Sequence, residues 1–226
     1  MTADRLALPL VIVGAGGHGA VVGDCVDPAK FAMVGYLDDG RALETTIVHE
    51  QRVIGRVDDL PQLAMAYPQL AVVIAIGDNA IRRRMAEQVQ HAVPALRWPP
   101  IVHRSAIVSR SSLLGPGCVV AAGAVVNCRT RLERFVLINT GSIIEHDNVF
   151  AEFSSTGPGV VTGGDVEVGT MSHIGIGATV KHGITIGTNC VIGGQAYVDR
   201  SIGDDVVSYG VPARARQQRQ PGAAYL

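Results

Sequence analysis

His146 is the only histidine of this chain with an acid on each side, Glu145 and Asp147. It stands in a stretch, INTGSIIEHDNV (residues 138–149), that otherwise reads as plain β-structure. An imidazole titrates near neutral pH and suits the role of general base, and a neighbouring carboxylate suits the role of orienting it. Adjacent side chains on a strand point to opposite faces, so Asp147 reaches the ring only where the backbone turns. A second constellation lies near the start. There GAGGHG sets Gly14, Gly16 and Gly19 in GxGxxG spacing directly after an apolar run, LPLVIVG. Small residues in such a turn let backbone amides and a helix N-terminus face a phosphate. Asp38 follows 24 residues after Gly14, close to the distance of a ribose partner.

The elements that must position these groups fall into two halves. Residues 1–100 alternate short buried strands with helices. LPLVIVG (Leu8–Gly14) reads as a short buried strand, FAMVGYLDD (Phe31–Asp39) as one that ends in two acids, and LAVVIAIGDN (Leu70–Asn79) as a third, too apolar to be half-exposed, which predicts a parallel sheet covered on both faces. Asn79 is expected to cap a helix over Ala80–His91, in which Ile81, Met85 and Val89 recur every fourth residue. This is a small βαβ unit of half-Rossmann type. Only about 85 residues precede the linker, too few for the two mononucleotide halves of a dinucleotide fold. Half of such a fold suits a nucleotide-sugar.

At RWPPIVH (Arg97–His103) the pattern changes, and residues 101–213 follow a period of six. Steps of six from Val102 to Val198 visit seventeen positions, of which fifteen are large and apolar and two, Thr156 and Thr162, are threonine. The next residue is often glycine, as at Gly115, Gly163 and Gly175, read here as turn chemistry. A period of six fits neither a helix nor an ordinary strand, but it suits a parallel β-helix with three hexapeptides per coil. Eighteen residues then separate stacked positions, so Cys128 lies below His146 and Gly164 lies above it. A gap beside the imidazole is expected. Residues 214–226 read as a polar, loosely ordered tail.

Composition narrows the function classes. A formal net charge of −1, with no basic block, argues against nucleic acid as a partner. Apolar runs break well before ~18 residues, so no membrane insertion is expected. Cys25, Cys118, Cys128 and Cys190 lack CxxC spacing, which suits reduced thiols and a cytoplasmic location. The start lacks a signal-peptide pattern.

Together VGAGGHG (Val13–Gly19), AIGDNAIRRR (Ala75–Arg84), NTGSIIEHD (Asn139–Asp147), the hexapeptides and YGVPAR (Tyr209–Arg214) give a resemblance covering nearly the whole chain. The chain resembles hexapeptide-repeat acetyltransferases with a left-handed β-helix. Within that group it looks like the sialic-acid O-acetyltransferases and the nucleotide-linked 4-amino-sugar N-acetyltransferases (NeuD/PglD type). The resemblance implies a homotrimer, acetyl-CoA as donor, a nucleotide-sugar acceptor and active sites between subunits. His146 then matches the family's base, with Asp147 orienting it. Transfer from a thioester needs positioning, a base and an oxyanion donor, and does not demand a metal.

By the same resemblance Gly164, Gly175, Ile176 and Ala178 meet the pantetheine arm, and Lys181 meets a phosphate. Gly16, His18, Asp38, Asp39, Asn79 and Arg82 surround the nucleotide. Two departures stand out. Ser155 occurs where relatives carry a second histidine nine residues after the first, and VKHG (Val180–Gly183) replaces a common Pro-Gly. The NTG…EHD form favours an amine over a hydroxyl acceptor, with sugar O-acetylation as the alternative. A zinc enzyme of carbonic-anhydrase type would draw on His146 and His182, two coils apart, but lacks a third ligand in sequence. A non-catalytic nucleotide-sugar-binding scaffold is the remaining reading.

Overall fold

The computed structural model describes residues 7–220, 222, 223 and 225. The N-terminal unit runs β1 (Leu8–Val13), α1 (Gly17–Cys25), β2 (Phe31–Leu37), β3 (Val53–Gly55), α2 (Leu60–Ala66), β4 (Ala71–Ile74) and α3 (Asn79–Ala92). Its four strands form a parallel sheet in the order β3-β2-β1-β4. Leu10, Val11, Ile12, Val72 and Val73 are wholly buried, as both-face coverage of a parallel sheet requires. The cap of α3 differs from expectation. Asp78, not Asn79, is the N-cap, its carboxylate accepting from Ile81 N at 2.9 Å. The buried face is Asn79, Arg82, Ala86 and Val89, while Ile81 is exposed.

From Ile101 to Val198 seventeen two-residue strands follow at six-residue intervals and stack into three parallel sheets, in pairs eighteen residues apart such as Arg131↔Val149. This is a left-handed parallel β-helix of triangular section. The second residue of each strand points inward. Val120, Ile138, Ile144, Phe150, Ile174 and Ile192 are all 0% exposed, each contributing about 1.5–3 kcal/mol by burial. The two threonines in this column have a polar task. Thr156 Oγ1 accepts from Asn139 N at 2.9 Å and Thr162 Oγ1 from Glu145 N at 3.2 Å, so each hydroxyl pins a corner of the preceding coil.

The glycines after the inward residue do not make the turns. The left-handed backbone sits at the fourth residue of the hexapeptide, as at Arg129 (φ 58), Asp147 (φ 59) and Gly183 (φ 66). Gly163 instead permits coil-to-coil approach, because an added Cβ would lie 2.6 Å from His182 N.

The N-terminal unit packs along the eight-stranded sheet and its adjoining corner. Leu10, Ile12 and Val22 share a core with Ile101, Val119 and Leu137, and α3 residues Ala86 and Val89 share one with Phe135 and Phe153. The Phe135 and Phe153 rings stack at 4.8 Å. Within the expected tail Arg214–Gln218 is not loose but a strand, antiparallel to Val206–Tyr209. No helix among the described residues is long and apolar enough to cross a membrane.

Candidate active site

His146 lies at the corner between the six-stranded and five-stranded sheets, with its side chain 53% exposed. Three buried side chains hold the corner. Thr130 Oγ1 donates to Glu145 O at 2.9 Å, Asn148 Nδ2 donates to Gly163 O at 3.0 Å, and Thr162 receives the Glu145 N–H. The left-handed turn at Asp147 brings its carboxylate round to the ring, with Oδ2 2.7 Å from His146 Nδ1. Arg129, one coil below Asp147, grips the same carboxylate with Nε to Oδ1 at 2.6 Å and a terminal nitrogen to Oδ2 at 2.7 Å. Arg129 and then His146 hold the Asp147 carboxyl well below the usual carboxylate range. An ionised acceptor facing Nδ1 requires the proton on Nδ1, which in the neutral ring puts the lone pair on Nε2. The ring lies over Gly164, where an added Cβ would fall 2.6 Å from Nε2. The imidazole itself therefore occupies the gap expected at Gly164.

Arg129 escaped the sequence reading, although it stands eighteen residues before Asp147 in the same left-handed column. The arithmetic that linked His146 to Gly164 would have found it. Thr130, Thr162 and Asn148 carried no signal of their own.

The residues expected to meet the donor divide between two corners. Gly164 and Lys181 share the column of corners that holds His146, with Lys181 exposed and Gly164 buried. Gly175, Ile176 and Ala178 lie across the six-stranded sheet, at its corner with the eight-stranded one. Of these only Ile176 is accessible, at 60%. Ala178 is 0% exposed and points into the core, and its N–H donates to Gly175 O. Gly175 N donates to Ile192 O at 2.8 Å, and an added Cβ would fall 2.7 Å from Gly194 N. In the single chain Gly175 and Ala178 serve coil stacking.

The N-terminal loop matches its predicted form. Gly14 has φ 103, and an added Cβ would meet Ala75 O at 2.9 Å, so this position excludes other residues. Gly19 packs α1 against the loop, since its Cβ would meet the Gly14 carbonyl carbon at 3.0 Å. Gly16 and Gly17 face open space at the N-terminus of α1. Asp38 braces this turn, accepting from Ala15 N at 2.7 Å and from Gly40 N and Arg41 N at 2.9 Å. Asp39 is exposed and accepts from Val57 N. Burial, and then the Arg82 charge, push the His18 imidazole down to about 4, so it is neutral at physiological pH and brings no positive charge to a phosphate.

Asn79 and Arg82, expected at the nucleotide, are not open to it. Both are buried, at 1% and 3% exposure. Arg82 donates to the carbonyls of Ile76, Gly77, Phe135 and Phe153 and to Asn79 Oδ1, so its five donors face fixed protein acceptors. Asn79 Nδ2 donates to Met171 O and Ser172 O. These two residues lock the N-terminal unit to the β-helix. Ser155 belongs to this junction and not to the His146 corner. Its hydroxyl donates to Asn79 Oδ1 at 2.8 Å and lies 2.8 Å from His173 Nδ1. Tyr225 closes the junction, its ring stacked on His173 at 4.5 Å.

A cavity of about 570 Å³, lined by Asp24, Cys25, His49 and His103 among others, opens at the N-terminal edge of the sheet and shares no residue with either constellation. His182 lies two coils above His146 with Gly164 between them. No group of three His, Cys, Asp or Glu side chains suited to a metal forms among the described residues.

Comparison with known proteins adds to this geometry. Residues 9–89 match the family model of the PglD N-terminal domain. UDP-N-acetylbacillosamine N-acetyltransferase of Bacillus subtilis (strain 168) is 32% identical over 114 residues, 50% of this chain. The chain thus spans about half of that curated relative, 51% of its length. PerB from Caulobacter crescentus, solved with CoA and GDP-perosamine, is 30% identical with a TM-score of 0.84, over 92% of this chain and 97% of that one. The acetyltransferase domain of PglB from Neisseria gonorrhoeae, solved with acetyl coenzyme A, is 30% identical with a TM-score of 0.84, over 93% and 100% of the two chains.

Proposed function

The chain belongs to the PglD-type family of nucleotide-amino-sugar N-acetyltransferases, and from that premise we propose that it moves the acetyl group of acetyl-CoA to the 4-amino group of a nucleotide-linked amino-deoxy sugar. The observation that carries this reading is the His146 Nδ1 contact to Asp147 at 2.7 Å, which in the neutral ring assigns the lone pair to Nε2 at an exposed corner. The amine nitrogen attacks the thioester carbonyl carbon while Nε2 takes a proton from that nitrogen. Collapse of the adduct restores the carbonyl and breaks the C–S bond, and the proton passes from Nε2 to the departing CoA thiolate.

The donor and base corners meet if the working enzyme is a homotrimer. Ile107, Ile143, Val161 and Tyr197 stand exposed along the six-stranded face, an apolar stripe that a neighbouring copy would cover. This face runs between the two columns of corners. In a threefold ring the His146 corner of one subunit then faces the Ile176 corner of the next. Lys181 would line the base side of that groove, with buried Gly164 seating the ring, and Ile176 would line the opposite side, held there by the coil stacking of Gly175 and Ala178. The nucleotide would lie on the Gly14–Gly19 loop, with Gly16, His18, Asp38 and Asp39 nearest, in a cytoplasmic enzyme whose four free cysteines stay reduced.

The test is acetyl-CoA turnover against a panel of UDP-, GDP- and dTDP-linked 4-amino sugars, read as free CoA thiol and as the mass gain of one acetyl group. One acceptor should be turned over, and His146→Ala should lower kcat by about 100-fold or more at saturating acceptor. A variant with near wild-type turnover would remove the base role.

A further inference from the structure

Arg129 lies outside every role assigned above, yet it makes the shortest ion pair of the corner. Its planar fork meets both oxygens of Asp147, at 2.6 and 2.7 Å, and the second of these oxygens is also the partner of His146 Nδ1. A bidentate pair fixes the carboxylate plane as well as its charge, which a single contact does not. We propose that Arg129 is a positioning residue of the acetyl transfer: it clamps Asp147 in the one orientation that receives Nδ1–H and so aims Nε2 of His146 out of the corner. This inference rests on the proposed base role of His146.

Two consequences separate the clamp from ordinary surface pairing. The first is geometric. The Asp147 side chain, 35% exposed, has free rotamers once the fork is removed, and the imidazole loses a fixed partner. The second is electrostatic. An Asp147 already matched by a guanidinium stabilises an imidazolium less than a lone carboxylate does. The other charged or titratable groups in this column of corners are Glu145 beside the ring, Cys128 one coil below, Asp165 one coil above, and Lys181 and His182 on the coil beyond. All of these stay in place when Arg129 is replaced. With Arg129 removed the imidazolium gains stability, so the acid limb of the pH profile moves to higher pH.

The experiment compares Arg129→Met, which removes fork and charge, with Arg129→Lys, which keeps a charge without the fork. Each full-length protein is followed in two ways: ring ¹⁵N NMR of His146 titrated without substrate, and kcat and kcat/KM against pH with the acceptor found above. Arg129→Met should move the His146 titration and the acid limb of kcat/KM upward together, and should lower kcat by about tenfold, a part of what a general base contributes. Arg129→Lys should lower kcat similarly while leaving the limb close to wild type. An unmoved titration in Arg129→Met, or a wild-type kcat in both variants, overturns the proposal. The NMR arm needs no acceptor, so it still decides the clamp if no sugar of the panel is turned over. A fully active His146→Ala would instead overturn the base reading on which the inference rests.

Discussion

Gly164 carries no side chain, and the ring beside it supplies the reason: Nε2 of His146 lies 2.6 Å from where a Cβ would be. The backbone at Gly164 does not need glycine, since its φ is outside the left-handed region, and the three atoms nearest an alanine Cβ there all belong to the imidazole. Gly164→Ala should therefore leave the fold intact and push the ring off its line. We expect kcat to fall by about tenfold or more, as misplacing a base by an ångström does, with thermal unfolding unchanged. Steady-state kinetics beside a melting curve check this, and a wild-type kcat would mean the ring is not working from this position. At this scale the sequence was most legible where stacking arithmetic applies. The stacking of His146 on Gly164 follows from a period of eighteen, whereas the left-handed turn at Asp147 does not, because the glycines after the inward residue drew the turn chemistry to themselves. The buried braces Thr130, Thr162 and Asn148 do not, because their partners are backbone carbonyls and amides that no residue type announces.

Helix α3 shows where periodicity was read on the wrong face. Ile81, Met85 and Val89 suggested an apolar stripe, yet Asn79, Arg82, Ala86 and Val89 form the buried one, at the helical spacings of three and four. Polar residues within that second stripe were read as ligands, when the interior supplied acceptors for them. Arg82→Met should destabilise the protein on the order of 3 kcal/mol, since it removes charge-assisted bonds and leaves several buried carbonyls unpaired. Urea denaturation measures it, and unchanged stability with a raised KM for the nucleotide-sugar would restore Arg82 to the binding site. The same junction carries a pH signature. Burial, with the Arg82 charge second, pushes His173 as well as His18 down to about 4. Between the ordinary value near 6.5 and about 4 the unfolded chain binds protons that the folded chain refuses, so stability falls as pH drops through that window. The urea midpoint should be lower at pH 5 than at pH 7, and His173→Gln should shrink the difference. A midpoint flat across that range would contradict the buried neutral imidazoles.

At the scale of the molecule, three sheets of one prism meet three different fates. The eight-stranded face is covered by the N-terminal unit, and the outward positions of the five-stranded face include Arg131, Glu167 and Thr185, which suit water. The five-stranded face also exposes Leu113, at 66%, but among the described residues the row of exposed apolar side chains is on the six-stranded face, at Ile107, Ile143, Val161 and Tyr197. Its two edges carry His146 and Ile176, so under the proposed function coverage by another copy and completion of the site would be one event. Val161 sits mid-face at 37% exposure with its partner strands on both sides, and Val161→Glu would bring a carboxylate into the seam from every copy. Burying such a charge unpaired costs several kcal/mol per site, enough to open a ring, whereas in the single chain the new side chain still reaches water. Sedimentation should therefore show the wild type at three times the 23.7 kDa chain mass and Val161→Glu at the chain mass, with unchanged circular dichroism and lost acetyl transfer. A dissociated variant that kept wild-type turnover would place the whole site within one chain, and the separation of His146 from Ile176 across the face would then have no bearing on the reaction.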